Sequence, residues 1–424
     1  MTVAERSAAL VLTDDHKGLP ARAHGLTVGE FLATRPRLSE FWTPLVVIDG
    51  EALDHNARTI SAWCTQQSLA LMPHGKTTMA PTLWHRQLDE GALGITLATM
   101  AQVRTGRSWG LNHILLANAA IDRRSLAWLA DELADPNFRF TCWADSLATI
   151  AAMENALEGI ALPRPIDVCV ELGGANGRTG ARTIEDGIAI ARRLHASPML
   201  RLAGVAGYEG ALGHDRAAET VTVITAWLER LLALHDAIGE LYSPGPLMVS
   251  AGGSAYPELV ADVFAPRAAV ETEVDWVIRS GASLTHDDGF YRGISPFDES
   301  ARAGAPRLLS ALMGLARVVS HPEPELALLD GGKRDFPFDE GLPIPRAVLT
   351  DIAAVERAPG ELAITALNDQ HAFARGTGAA ALAIGDVVRL GLSHPCTAFD
   401  KWRLIPVVES ATSDEVIDLI ATYF

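Results

Sequence analysis

From residue 44 onward the chain alternates short β-branched apolar runs with longer amphipathic stretches, a rhythm that restricts it to βα units laid on a parallel sheet. Candidate strands begin near Leu45, Leu69, Gly94, His113, Arg139, Asp167, Leu202 and Leu247. Eight such runs predict a closed (β/α)8 TIM-like barrel. The segment after Leu45–Asp49 shows the helical half of the unit. Leu53, Asn56, Ala57, Ile60, Trp63 and Cys64 recur at spacings of three and four, with Asp54, His55 and Arg58 turned outward and Asp49 placed to cap the helix. Beyond residue 290 the rhythm changes: Leu326–Leu329, Leu362–Ala366, Asp386–Leu390 and Leu404–Val408 read as strands separated by Gly, Pro and Asp turns. The expected fold is therefore α/β, a (β/α)8 TIM-like barrel followed by a mostly β C-terminal domain. The boundaries predicted are an N-terminal extension over 1–42 packing on the β domain, a barrel over 43–288 and the β domain over 289–424.

Charge narrows the function classes. Lys plus Arg number 35 against 52 Asp plus Glu, a formal net charge of −17, so no basic stripe exists to neutralise the phosphates of a nucleic acid. No stretch is long and charge-free enough to span a membrane, and Met1–Leu12 lacks the apolar run of a secretory signal. The four cysteines, Cys64, Cys142, Cys169 and Cys396, form no C-x-x-C pair and no disulfide framework, which predicts a reducing cytoplasm.

Three segments carry chemistry. In Leu69-Ala-Leu-Met-Pro-His74-Gly-Lys76-Thr-Thr, a lysine follows an apolar strand on the face where barrel enzymes keep their catalytic groups. Taken alone it is either a reactive amine or a side chain snorkelling to solvent. In Ser250-Ala-Gly252-Gly253-Ser254, the two glycines let backbone N–H groups approach a phosphate closely, although an ordinary tight turn has the same look. In Gly391-Leu-Ser-His394-Pro-Cys396, imidazole and thiolate are both good zinc ligands, but the pair supplies only two of the usual four.

Together these elements resemble fold-type III pyridoxal-phosphate enzymes of the D-serine dehydratase and D-threonine aldolase group, whose barrel is that of the alanine racemases. Pro73-His74-Gly-Lys76-Thr resembles the segment carrying the Schiff-base lysine. Thr43-Pro-Leu-Val-Val-Ile-Asp49, Asp145-Ser146-Leu147, Glu171-Leu-Gly-Gly-Ala-Asn-Gly-Arg178-Thr-Gly180 and Asp330-Gly-Gly-Lys333 resemble further elements in that family's order, which runs from residue 43 to 408. The resemblance implies pyridoxal 5'-phosphate held by Lys76, His74, Arg178, Tyr208, Ser250, Gly252, Gly253 and Ser254, with Arg178 near the pyridine nitrogen. It implies Zn2+ or another divalent cation on His394 and Cys396, because D-serine dehydratases present His-x-Cys where D-threonine aldolases present His-x-Asp. Upstream, Asn368-Asp-Gln-His371 resembles an acidic-acidic-His element, which makes His371 a candidate to orient a ligand or water. Gly207-Tyr208-Glu209-Gly210 departs from the family by lacking a neighbouring histidine, and Glu209 is a candidate base or a partner of the substrate amine.

The activity implied is zinc-assisted dehydration of a D-β-hydroxy amino acid, D-serine to pyruvate and ammonia, in a homodimer with shared active sites. Retro-aldol cleavage of the D-threonine aldolase type is the nearest alternative. A non-catalytic pyridoxal-phosphate-binding homeostasis protein is the alternative from another class, and residues 290–424 exceed what such proteins carry.

Overall fold

The structure, a computed structural model, describes residues 1–175, 177–298 and 301–424; Asn176 of the Glu171–Gly180 motif lies outside them. One unit comprises residues 61–76 and 87–281, and the other residues 1–60, 77–86 and 282–424. Along the chain the first strand is β1 (Leu45–Asp49). It is followed by β2 (Ala70–Leu71), β3 (Ile95–Leu97), β4 (His113–Leu116), β5 (Arg139–Ala144), β6 (Ile166–Leu172), β7 (Leu200–Gly207), β8 (Leu247–Ala251) and β9 (Val274–Ile278).

Strands β2 to β9 form one parallel sheet in the order β2-β9-β8-β7-β6-β5-β4-β3, and its edges curl together. His74, just past β2, bridges Thr96 of β3, while the Leu93 and Thr96 N–H groups donate to the carbonyls of Leu71 and Pro73. Inside, Met72, Leu115, Trp143, Cys169, Ala206, Met248 and Val277 pack as one cluster, drawn from the end of β2 and from β4 to β9. This is the filled interior of a TIM-like barrel.

The eighth barrel strand is β9, not the Leu45 run. Its sequence, Val274-Asp-Trp-Val-Ile278, follows Glu271 and Glu273 and contains Asp275, so its apolar character is diluted. Asp275 meets Arg139 at the start of β5 in a 3.1 Å ion pair.

In the other unit, β1 joins β10 (Leu312–Glu323), β11 (Leu326–Leu329), β12 (Ile344–Leu349), β13 (Ala363–Leu367), β14 (Ala372–Arg375), β15 (Val387–Gly391), β16 (Leu404–Val408) and β17 (Val416–Ala421). The sheet runs β13-β14-β11-β10-β1-β16-β17, with β15 pairing β10 and β12. β1 is antiparallel to β10 and parallel to β16, and Leu45 through Ile48 are all buried. A strand covered on both faces reads as a continuous apolar run whether it is a barrel stave or the middle of a mixed sheet, so periodicity does not separate the two cases.

The helix after β1 spans Gly50–Gln66 and buries the face predicted for it. Asp49 caps it, one oxygen accepting the Ala52 N–H at 3.0 Å. Asn56, fully buried, donates to the carbonyls of Leu284 and Leu309 and accepts the Leu309 N–H. Among the amino-terminal residues, Leu12, Val28 and Phe31 enter the core shared by β1, β10, β15 and β16. No helix among the described residues is long and apolar enough to cross a membrane.

Candidate active site

Lys76 lies in a single 3-10 turn, Gly75–Thr77, at the carboxyl end of the barrel's first stave. That stave is only two residues long, and Pro73 has no N–H with which to extend its ladder. The backbone stays bonded on both sides nevertheless. Met72 and His74 N–H groups donate to Ile278 and Arg279 carbonyls, and the Thr96 hydroxyl donates to the Met72 carbonyl at 2.7 Å. Lys76 therefore projects from a fixed base on a part-buried turn.

Beside it, His74 Nδ1 is buried with no hydrogen-bond partner. Burial and the neighbouring cations Lys76, Arg279 and Arg178 hold the imidazole well below its ordinary pKa, so the ring is neutral. An unsatisfied polar atom facing a row of cations is an opening for a ligand that brings an acceptor or donor of its own.

Arg279, just past β9, is a guanidinium to which the sequence alone assigns no role. It is buried, donating to Ser250 Oγ and to the Gly207 carbonyl, both at 2.5 Å, and lies 4.9 Å over the Trp143 ring. Burial pulls its pKa down to about 10 against the opposing pull of Glu209, Tyr208 and Glu171. The available signal was an arginine directly after an apolar strand, but that strand itself escaped notice. Arg178, by contrast, is exposed, its Cζ 4.6 Å over the Tyr208 ring. Glu171, nearby in the same motif, is buried and accepts the Thr179 hydroxyl at 2.6 Å, and burial lifts its pKa.

The glycine loop is held differently from the arrangement anticipated. Glu209 is fully buried, and its two oxygens accept the N–H groups of Gly252 at 2.8 Å and Gly253 at 2.7 Å. A carboxylate with both oxygens so engaged shapes the loop. Gly252 sits at φ +92°, where a β-carbon would strain the chain. Ser250 is likewise committed, to Arg279 and the Val277 carbonyl. Ser254 Oγ accepts the Ser280 hydroxyl at 3.0 Å and marks the loop's outer end. A ring bearing an aldehyde and a phosphate would meet at this mouth an amine on a bonded turn, a neutral imidazole whose Nδ1 has no partner, a buried guanidinium and a glycine loop ending in Ser254, whose Gly252 and Gly253 N–H groups Glu209 already engages.

The second cluster belongs to the β-rich unit. His394 has φ +54°, a left-handed backbone uncommon for a non-glycine residue. Its N–H donates at 2.9 Å to Asp287, a buried carboxylate that also accepts the N–H groups of Gly289 and Tyr291. The imidazole is hydrogen-bonded to the Cys396 thiol, and its Nδ1 lies 2.6 Å from Asp339 Oδ2. Burial lowers the His394 pKa, but its hydrogen bonds and electrostatic attraction to Cys396 and Asp339 outweigh it and raise the value to about 9. Cys396 Sγ in turn lies 3.4 Å from the hydroxyl of Thr77, the residue after Lys76. Imidazole and thiol held together on a pinned backbone suit a borderline-soft divalent cation; no group of three or more His, Cys, Asp or Glu placed to hold a metal occurs among the described residues.

His371 is not part of that cluster. It sits exposed at the tip of the β13–β14 hairpin, its carbonyl accepting the Asn368 N–H, on an open groove of about 410 Å3 lined with Lys333, Asn368, Asp369 and Gln370. The Asp330-Gly-Gly-Lys333 turn packs there because Gly332 comes so close that a β-carbon would lie 2.3 Å from the Asn368 carbonyl. The group set against His394 is Asp339, on the long Pro-containing loop between β11 and β12.

The alanine racemase N-terminal domain family matches residues 48–285, more than half of the chain. This protein belongs to that family, the barrel of the fold-type III pyridoxal-phosphate enzymes. A second family, described as a putative serine dehydratase domain, matches residues 311–408. A D-threonine aldolase of Arthrobacter sp is 27% identical over 383 residues, covering 90% of this chain and 93% of the relative. A 3-hydroxy-D-aspartate aldolase of Paracoccus denitrificans (strain Pd 1222) is 26% identical over 325 residues, covering 75% of this chain and 80% of the relative. The crystal structure of D-threonine aldolase from Filomicrobium marinum superposes with a TM-score of 0.75 at 20% identity, covering 91% of this chain and 96% of that one.

Proposed function

We propose that this protein is a pyridoxal-phosphate- and divalent-metal-dependent lyase of a D-3-hydroxy amino acid, acting as a dehydratase that converts D-serine to pyruvate and ammonia. The observation that carries this reading is the His394–Cys396 pair, with Cys396 hydrogen-bonded to the residue following Lys76. The D-configuration and the 3-hydroxyl are carried over from the aldolase relatives, and dehydration from the cysteine and from the serine dehydratase domain match.

Bound pyridoxal phosphate would supply an electron sink that acidifies the substrate Cα–H, and a cation on His394 and Cys396 would supply a Lewis acid for the departing β-hydroxyl. Lys76 Nζ, on its bonded turn, is the amine that would hold the cofactor and take the Cα proton. His74 stays neutral beside it and so does not add another positive charge to the barrel mouth. Glu209 holds the shape of the glycine loop, and Arg279 balances the buried charge of Glu209 and Glu171.

A second reading, retro-aldol cleavage, is favoured by the names of the relatives. Product analysis decides between them. The purified, cofactor-loaded protein with Zn2+ or Mn2+ is given D-serine, L-serine, D-threonine and D-3-hydroxyaspartate. A 2-keto acid and ammonia from the D-substrates supports the dehydratase. Glycine with an aldehyde or glyoxylate transfers the assignment to the aldolase, and visible cofactor absorbance without turnover of any substrate leaves a binding protein.

A further inference from the structure

The loop between β11 and β12 runs from Asp330 to Pro343 with no strand of its own, a length that in a packed domain ordinarily serves a site. It is anchored rather than loose. Phe336 is fully buried, the Trp402 indole donates to the Asp335 carbonyl at 2.9 Å, and Lys17 pairs with the Asp335 carboxylate at 2.9 Å. From this anchored stretch Asp339 reaches His394 Nδ1 at 2.6 Å with one oxygen and accepts the Thr397 hydroxyl at 2.6 Å with the other. Thr397 lies in the same short helix as Cys396, and its hydroxyl also contacts the His394 carbonyl at 3.2 Å.

An exposed histidine–aspartate pair usually contributes little. Here one carboxylate oxygen meets the imidazole, the other accepts the Thr397 hydroxyl, and the His394 backbone is pinned separately by Asp287, so the pair costs little side-chain entropy and has one geometry. With Nδ1 tied to a carboxylate, Nε2 is the nitrogen left to face a ligand. We propose that Asp339 is a positioning residue of the metal site, accepting the Nδ1–H of His394 and so fixing the tautomer and ring orientation in which Nε2 serves as the ligand atom alongside Cys396 Sγ. This rests on the reading of His394 and Cys396 as metal ligands. Carboxylates that orient a ligating histidine typically change metal affinity by about 10- to 100-fold when removed.

The test is a Co2+ titration of the metal-stripped, cofactor-loaded protein, followed by the thiolate-to-cobalt charge-transfer band. Zn2+ and Mn2+ affinities are obtained by competition. Asp339→Asn is expected to bind Co2+ about 10- to 100-fold more weakly while keeping the visible absorbance of the bound cofactor. Thr397→Val, which frees the second oxygen of Asp339, is expected to weaken binding in the same direction and by less. If His394→Ala abolishes the band while Asp339→Asn binds as tightly as the unaltered protein, the inference is overturned and the metal reading stands. If the unaltered protein shows no charge-transfer band at all, the metal reading itself falls and takes the inference with it.

Discussion

Glu209 holds Gly253 by a 2.7 Å hydrogen bond from the glycine N–H to one carboxylate oxygen, while the other oxygen takes the N–H of the preceding glycine. A fully buried carboxylate is costly unless such donors meet it, and the loop gains its shape from the same bonds. Glu209→Gln keeps the volume but turns an NH2 group toward one of the two amides. The unsatisfied donor costs about 1–3 kcal/mol, which corresponds to a cofactor affinity weaker by roughly 5- to 150-fold. Equilibrium dialysis with pyridoxal phosphate measures it. Unchanged affinity with lost turnover would instead return Glu209 to the role of a base.

Lys76 and Cys396 are expected to fail differently. Lys76→Ala should remove the visible absorbance of bound cofactor together with all turnover, and activity retained in that variant would sink every version of the proposed chemistry. Cys396→Ala should leave the absorbance intact and lower keto-acid formation by about 100- to 1000-fold, the scale seen when a group stabilising developing negative charge is removed. Cys396→Asp recreates the His-x-Asp pair, so its expected signature is a shift of product toward glycine and acetaldehyde from D-threonine. A product ratio identical to that of the unaltered protein would detach Cys396 from the choice of reaction.

The parts of the fold legible in the sequence are those in which local pattern and burial agree. The helix face from Leu53 to Cys64 and the strands from β3 to β8 carry their period openly. β1 was misplaced because a strand buried on both faces has no alternation to betray which sheet it joins. β9 escapes the periodicity because Asp275 and the glutamates before it mask a buried stave, so Arg279 carries no sign of its place at the barrel mouth. In the site, residue types were readable but commitments were not. Ser250, Gly252 and Gly253 look like phosphate donors in one dimension, yet Arg279 and Glu209 already engage them. Asp339 was invisible because its pairing with His394 spans 55 residues of chain.

Arg279 ties two barrel staves together at the mouth, through Ser250 of β8 and Gly207 of β7. Arg279→Met removes those bonds and leaves Ser250 Oγ and the buried Gly207 carbonyl without their charged donor. A hydrogen bond from a charged donor contributes about 1.5–3 kcal/mol, so the urea midpoint should fall by the equivalent of a few kcal/mol at unchanged slope. Arg279→Lys retains the charge but not the planar fork, and an intermediate loss is expected. If Arg279→Met unfolds at the same midpoint as the unaltered protein, the guanidinium is not a structural tie.

His113 gives the barrel a defined acid sensitivity. Its Nδ1 lies 3.1 Å from the Leu93 carbonyl, and its Nε2 is buried without a partner, so the ring is neutral and a second proton would have no acceptor. Burial, reinforced by Arg139, lowers the pKa from 6.5 to about 4. Because the folded value lies below the unfolded one, the unfolded chain binds more protons between pH 4 and 6.5, and stability falls as pH drops through that window. At pH 5 the loss from this ring amounts to about 2 kcal/mol relative to pH 7. His113→Gln retains a donor for Leu93 but does not titrate, so its urea midpoints at pH 5 and pH 7 should differ by about 2 kcal/mol less than those of the unaltered protein. Equal pH dependence in both proteins would show that His113 does not supply the slope, leaving it to His235 and His74, whose pKa values are also lowered by burial.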